Sequence, residues 1–257
     1  MNVIKTISVL LAAFAFGTAA LSAQVRVPNE EDILDLITDA DSPYYYPSLM
    51  LRYEAGDTSL TLDDYFYLYY GYAYQDSYKP LEPIEGEAEV LAVLERNPEP
   101  GTGAAELLQR AQVVMKSDPF SPKNINFMAY ACAMMGDSLG AQINADRLNK
   151  IFATITSTGT GLKENSPWHV LWFSHAGDVM ASMGKQILNR QVRTRSVEYI
   201  SVIRDSRDDP KGYFFDFGRM YWKKPENHPS REKQRGGFEL NGVSLGRKKI
   251  DSGTPAR

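Results

Sequence analysis

The sequence predicts an α+β chain in which antiparallel helical hairpins are followed by a small β-rich C-terminal part. Three observations predict it. Capped amphipathic patterns with helical spacing follow one another from Asn29 to Thr156 with short breaks. A glycine- and threonine-rich stretch, Ser157-Thr158-Gly159-Thr160-Gly161, ends that series. Beyond it, stretches rich in Val, Ile, Thr and aromatic residues dominate. Helices first and strands after is the α+β order; an α/β sheet would alternate them. The expected division is residues 1–23 as a signal peptide, 24–156 as the helical hairpin region, 157–222 as a β-rich region packed on it, and 223–257 as a basic, largely flexible tail.

The first 23 residues read as an address. Lys5 precedes an unbroken apolar run from Val9 to Phe16, and small residues follow at Thr18-Ala19-Ala20 and Ser22-Ala23. That is a secretory signal pattern with cleavage expected after Ala20 or Ala23. The run is too short to span a bilayer, which takes roughly 20 apolar residues. Cysteine is absent there, so no lipid anchor on cysteine is expected. The expected location is therefore periplasmic or extracellular, with no transmembrane span.

Each helix has a local reason. Asn29 stands as an N-cap before Glu30-Glu31-Asp32, and Ile33, Leu34, Leu36 and Ile37 supply an apolar stripe. Pro47 opens a short helix carrying Leu49, Met50 and Tyr53, and Gly56 ends it. Thr61-Leu62-Asp63-Asp64 resembles a capping box, flanked by Leu60 and Tyr65 as a hydrophobic staple. The run Tyr65–Tyr74 has aromatics on all sides, so periodicity is mute and the cap decides for helix. Glu87–Leu94 and Ala104–Lys116 are amphipathic. Asp118-Pro119 stops the second of these. Ser121-Pro122 then starts a helix that runs to Met135, with Gly136 beyond its end. After Asp137-Ser138 another helix carries Leu139, Ile143, Leu148, Ile151 and Phe152. Helix, tight turn, helix is a hairpin. In the second part, Trp168–Phe173, Gln191–Ile203 and Gly212–Trp222 read as strands, with Asp208-Asp209-Pro210-Lys211-Gly212 as a turn and Asp178–Met183 as a brief helix.

Two passages carry a family likeness. Tyr130-Ala131-Cys132-Ala133-Met134-Met135-Gly136-Asp137, with Ala141 and Ala145, resembles the helix-turn-helix of a tetratricopeptide-like unit. Ser157–Gly161, Trp168-His169-Val170, Ser174-His175 and Gly212-Tyr213-Phe214-Phe215-Asp216, in that order, resemble an uncharacterised bacterial secreted family, the domain of unknown function DUF4919. The likeness covers about Tyr44 to Trp222. It implies a helical front half and a small β back half, and it brings no activity or catalytic residues. The basic tail after Trp222 departs from it.

Composition excludes several functions. Net charge is −4 over 257 residues, so the molecule as a whole is no polycationic nucleic-acid binder. A single cysteine, Cys132, precludes an internal disulfide and a Cys-based zinc site, and its apolar neighbours predict burial. Three histidines leave little for a metal centre, and no cofactor or metal is expected. Charge is uneven: 19 acidic against five basic residues lie between Pro28 and Phe120, while residues 223–257 carry nine basic against four acidic.

Chemistry-bearing motifs are few. Gly242-Val243-Ser244-Leu245-Gly246 matches a nucleophile elbow in letters only, because all three histidines precede it; Phe238–Leu245 reads as an Asn-Gly hairpin. His169 and His175, six apart, would stand about 20 Å apart in one strand, too far to share a metal. His175 and Asp178 could meet as an i, i+3 pair on a helix. Eleven of the fifteen tyrosines fall between Tyr44 and Tyr78. A helix with aromatics all round must bury most of them. Tyr44, Tyr45 and Tyr46, beside Pro43 and Pro47, are expected to be exposed.

The resulting expectation is a non-catalytic protein-interaction or scaffold module of the bacterial envelope. Candidate binding residues are Tyr44, Tyr45, Tyr46, Trp168, His169 and His175, within or beside an acidic, tyrosine-bearing surface at residues 41–78. The expected partner is another envelope or secreted protein; a glycan is possible, nucleic acid is not. The alternatives are a hydrolase-like enzyme using His169, His175 and Asp178, and a tyrosine-lined glycan-binding module.

Overall fold

The computed structural model describes residues 25–221. The secretory pattern, the tail and the Gly242–Gly246 motif lie outside them.

Within those bounds the chain is α+β, with eight helices and one four-stranded mixed sheet. Helices α1 (Glu30–Thr38), α2 (Tyr46–Glu54) and α3 (Leu62–Gly71) come first. Asn29 caps α1 by accepting from Asp32 N, and Pro47 sits in the first turn of α2. Gly56, at φ +76°, provides the left-handed exit from α2. Thr61 and Asp64 form the complete reciprocal capping box of α3.

Helix α3 is the centre of the fold. Every residue from Asp64 through the 3-10 turn Tyr72–Tyr74 to Gln75 is buried. Buried aromatics on all sides require neighbours on all sides. Helices α1, α2 and α7 (Ser138–Thr156) pack against it, and tyrosine hydroxyls tie it to residues 169–171. Gly71 permits the closest approach: a Cβ there would lie 3.0 Å from the Tyr46 ring and 3.2 Å from Ile37.

Helices α4 (Glu87–Glu95), α5 (Thr102–Ser117) and α6 (Pro122–Met134) follow. They share a second, smaller core of Val90, Val93, Leu107, Ala111, Val114 and Phe127, among others. Ser121 caps α6 and Asp137 caps α7. Gly136, at φ +77°, turns the chain between these two helices, which pack extensively on each other.

The sheet has the order β1-β4-β3-β2, from β1 (Trp168–His169), β2 (Ile187–Val192), β3 (Val197–Val202) and β4 (Gly212–Asp216). β1 runs parallel to β4, pairing Trp168 with Phe215; the other pairs are antiparallel. One hydrophobic cluster runs from Ile33 to Met220, so helices and sheet share a core.

The three strand expectations need correction. Trp168–Phe173 is a strand only at its first two residues; Val170 N still reaches Asp216 O, and then the chain leaves the ladder. Helix α8 (Phe173–Ser182) replaces the rest, burying His175, Ala176, Val179 and Met180 on one face, so the brief helix begins five residues earlier than expected. Gln191–Ile203 is not one strand. It holds the end of β2, a turn and β3, and the turn has no Gly, Pro, Asn or Asp. Thr194 Oγ1 does that work by accepting from Val197 N. β4 ends at Asp216, whose Oδ1 accepts from Gly218 N and sets the 3-10 turn Gly218–Tyr221.

Two glycines test these packing statements in opposite directions. A Cβ at Gly159 would collide with the carbonyl oxygens of Ser166 and Pro167, which are backbone and cannot step aside. Gly159→Ala should therefore lower stability by about 2–3 kcal/mol in urea unfolding. Gly177, inside α8, faces only the tip of Arg190 at 3.8 Å. Gly177→Ala should raise stability by about 0.5–1 kcal/mol.

Candidate functional site

His175 sits on the first turn of α8 with its ring completely enclosed (0% exposed). Its Nδ1 lies 2.7 Å from the Tyr69 hydroxyl and its Nε2 lies 2.9 Å from Asp118 Oδ2. Asp118 is equally enclosed, and its Oδ1 accepts from Phe120 N at 3.2 Å. The Tyr69 hydroxyl also accepts from Leu171 N at 3.2 Å. One proton arrangement serves every group. Leu171 N–H donates to Tyr69, Tyr69 O–H donates to Nδ1, and Nε2–H donates to Asp118. Burial raises the Tyr69 hydroxyl well above the ordinary phenol range, which keeps it a donor.

The expected i, i+3 pair of His175 with Asp178 is not what the ring uses. Both of its nitrogens are taken by Tyr69 and Asp118. Asp178 is half-buried and accepts from Lys123 N at 3.3 Å. Burial raises its pKa from 3.8 to about 6, against the opposing pull of His175 and Lys123.

His169 belongs to a different cluster. Its Nδ1 lies 3.2 Å from Arg219 Nη2 and 3.8 Å from Asp216 Oδ2. Burial, and then Arg219, lower its pKa to about 4, so the ring is neutral at pH 7. The two histidines do not form one site. They are held through neighbouring residues of α3, with Tyr70 donating to His169 O at 2.8 Å and Tyr69 bonding His175. Trp168 is buried, stacked on Tyr213 at 5.2 Å, and donates its indole N–H to Gly159 O. Among the described residues, no group of His, Cys, Asp and Glu is placed to hold a metal ion. Cys132 is buried, as its neighbours predicted.

The tyrosines are mostly inside. Tyr44 and Tyr45 are half-buried and Tyr44 stacks on Tyr67 at 4.1 Å. Tyr46, expected in the open, is buried because it opens α2 and packs against Gly71. It nevertheless lines a surface cleft of about 400 Å³. Pro47, Met50, Leu51 and Glu54 continue that wall along α2; Tyr72, Gln75 and Ser77 form a second; Met115, Lys116 and Pro119 close it at the end of α5. Leu51 is 69% exposed. Pro119 faces this cleft while Asp118, its neighbour in sequence, turns inward to His175.

Sequence reasoning missed Asp118, Tyr69 and Arg219 as partners of the histidines. Asp118 carried only a helix-stop signal, and nothing local relates it to a ring 57 residues away.

A family comparison bears on the whole described fold. Residues 31–225 match the sequence model of a domain of unknown function, DUF4919. The chain belongs to that family. No curated protein and no solved structure matches it. No helix among the described residues of this DUF4919 chain is long and apolar enough to cross a membrane.

Two outcomes follow for the buried polar groups. Asp118→Ala strands a buried imidazole N–H and should cost about 3 kcal/mol in urea unfolding, and Asp118→Asn, which keeps an acceptor, clearly less. Asp178 favours folding in its acid form, because its folded pKa of about 6 exceeds its ordinary 3.8. That contribution is complete below about pH 4 and is lost as pH rises through about 6; the gap is worth at most about 3 kcal/mol before solvent screening. Asp178→Asn should therefore be more stable than the parent at pH 7, with the advantage shrinking to nothing at pH 4.

Proposed function

We propose that this DUF4919 chain is an exported, non-catalytic protein-interaction module of the bacterial envelope. The observation that carries the reading is the cleft between α2, the segment after α3 and the end of α5. Eight of its eleven lining residues fall between Tyr46 and Ser77, within the acidic, tyrosine-bearing stretch that the sequence singles out. Its volume suits one or two side chains of a partner. Met50, Leu51 and Met115 offer it adaptable apolar surface, and Glu54 and Lys116 flank it.

Catalysis is supported less well. Among the described residues, the one imidazole with a carboxylate at hydrogen-bond distance is sealed from solvent, and its bonds are all spent within the core. Sugar stacking asks for exposed aromatic faces, whereas Tyr46 and Tyr72, which line the cleft, are buried. The partner we infer is another envelope or secreted protein that inserts an apolar anchor and carries basic residues, since 19 acidic residues face five basic ones between Pro28 and Phe120. The helices that line the cleft, α2 and α5, serve as its rigid frame, and the tetratricopeptide-like pair α6 and α7 packs behind them on α5 and α3. Export rests on the sequence of residues 1–23.

The test is site-specific photocrosslinking from position 51 in envelope extract, followed by affinity measurement with the purified partner. Leu51→Asp should weaken that binding about tenfold or more, while Leu139→Asp, at an exposed leucine of α7, should not. Equal affinity of the parent and Leu51→Asp would remove the cleft from the interface.

A further inference from the structure

The sheet ends on an edge that the fold does not use. Among the described residues β2 has only β3 beside it, and all five residues from Leu188 to Val192 are exposed. Leu188 is 64% and Val192 74% exposed, so neither apolar side chain contributes to the core. Edge strands are usually defended by lysine, proline, a bulge or a covering element. Here a bulge between Ile187 and Asn189 defends one end, and Asn189–Val192 has neither lysine nor proline. Arg193 N already donates to Val197 O. The alternation of an antiparallel ladder then turns the N–H and C=O groups of Arg190 and Val192 away from β3; there the exposed Asn189 side chain accepts from Arg190 N at 2.8 Å, a bond that an added strand would replace.

The charge at this edge has one sign. Arg190, Arg193 and Arg195 are exposed along the strand and its turn. The carboxylate facing them from β3 is Glu198, 3.9 Å from Arg190, and it is mostly covered. Arg193 lies over the Tyr199 ring, 5.3 Å from its centre, and Arg190 also reaches Phe173 O on α8. The acidic residues beyond the strand's start, Asp205 and Asp209, are engaged by Lys185.

We infer that β2 is a strand-addition site for an extended segment of a partner protein in which acidic and apolar residues alternate. Backbone pairing with Arg190 and Val192 supplies the affinity, the arginines select carboxylates, and Val192 takes an apolar neighbour. This surface is separate from the cleft and does not depend on it.

The probe is a capped peptide of four Glu-Val repeats, added to the full chain and followed by fluorescence anisotropy and amide exchange. The expected result is saturable binding with exchange at Val192 slowed about tenfold or more. The same peptide N-methylated at every valine, and a Lys-Val counterpart, should each bind about tenfold more weakly or worse. An Arg193→Glu/Arg195→Glu variant with unchanged far-UV circular dichroism and Tm should show a comparable loss. No binding, or equal binding of the N-methylated peptide, would overturn strand addition. Equal binding of the Lys-Val peptide would overturn the acidic specificity. If Val192, whose amide has no such side-chain acceptor among the described residues, is already protected without peptide, the occupant is not a partner's acidic segment. Loss of that protection on dilution would assign the edge to a second copy, and its loss on deleting residues 223–257 would assign it to the chain's own tail.

Discussion

A helix made of tyrosine poses a problem that the whole structure answers. Burying α3 and its continuation removes a large apolar area from water, but each tyrosine carries in a hydroxyl that must find a partner. Several of the partners are backbone groups at or just past the ends of regular elements. Tyr70 donates to His169 O, Tyr78 to Leu171 O, Tyr72 to Ser117 O and Tyr53 to Pro119 O. Leu171 N donates to Tyr69. Residues 170–172, between β1 and α8, would otherwise bury backbone groups without a ladder or a helix to satisfy them. Each such bond is worth only about 1 kcal/mol net, but leaving either side unmade costs more. The reciprocity, rings into the core and hydroxyls onto backbone at the ends of elements, is what joins the helical part to the sheet.

The same device explains why the histidines are quiet. His175 completes the Tyr69 hydroxyl's hydrogen bonding and in turn neutralises the isolation of Asp118, so three polar groups enter the core at once without an orphan. An active site would need one of those bonds to be spent on a substrate and a path for that substrate to arrive. Here the geometry that places an imidazole beside a carboxylate is the geometry that closes the space around both. Pro119 marks the boundary. On one side of a single peptide unit is the enclosed Asp118, and on the other is the open cleft.

How much of this was legible in the sequence depended on range. Asn29, Thr61 with Asp64, Ser121 and Asp137 act within three residues of themselves, and the helix starts they mark stand where they were read. Burial of the α3 tyrosines was legible too, because aromatics on every side leave a helix no exposed face. The strands were harder. Trp168–Phe173 has a strand's composition, but the tyrosine hydroxyls capture its backbone after two residues, and α8 begins where the pattern continues. The β2–β3 turn hid because a threonine side chain replaced the usual turn residues. Tyr46 reads as a loop residue beside prolines, and only the close approach allowed by Gly71 draws it in. The candidate site was least legible of all. Every hydrogen-bond or charge partner of the two imidazole rings comes from 47 or more residues away.

What the core consumes, the surface cannot show, and this narrows where recognition can occur. Among the described residues the imidazoles and most phenols are spent internally, so the outward chemistry is left to carboxylates, arginines, lysines and uncovered aliphatic side chains. These are segregated along the chain. The acidic excess lies in the helices up to Phe120, whereas the uncovered strand and its turn carry arginine. Like charges gathered on one stretch cost self-repulsion in the folded state, which pairs such as Arg52–Asp57 and Arg96–Glu106 offset only for their own members. A surface so divided favours partners of opposite character at its two regions. Because the Debye length at physiological salt is only about 8 Å, each region acts on what is close to it and not on the other. The two surfaces proposed for recognition, the cleft and the strand edge, are therefore electrostatically independent on one frame, with the tyrosine-bonded core keeping both in place.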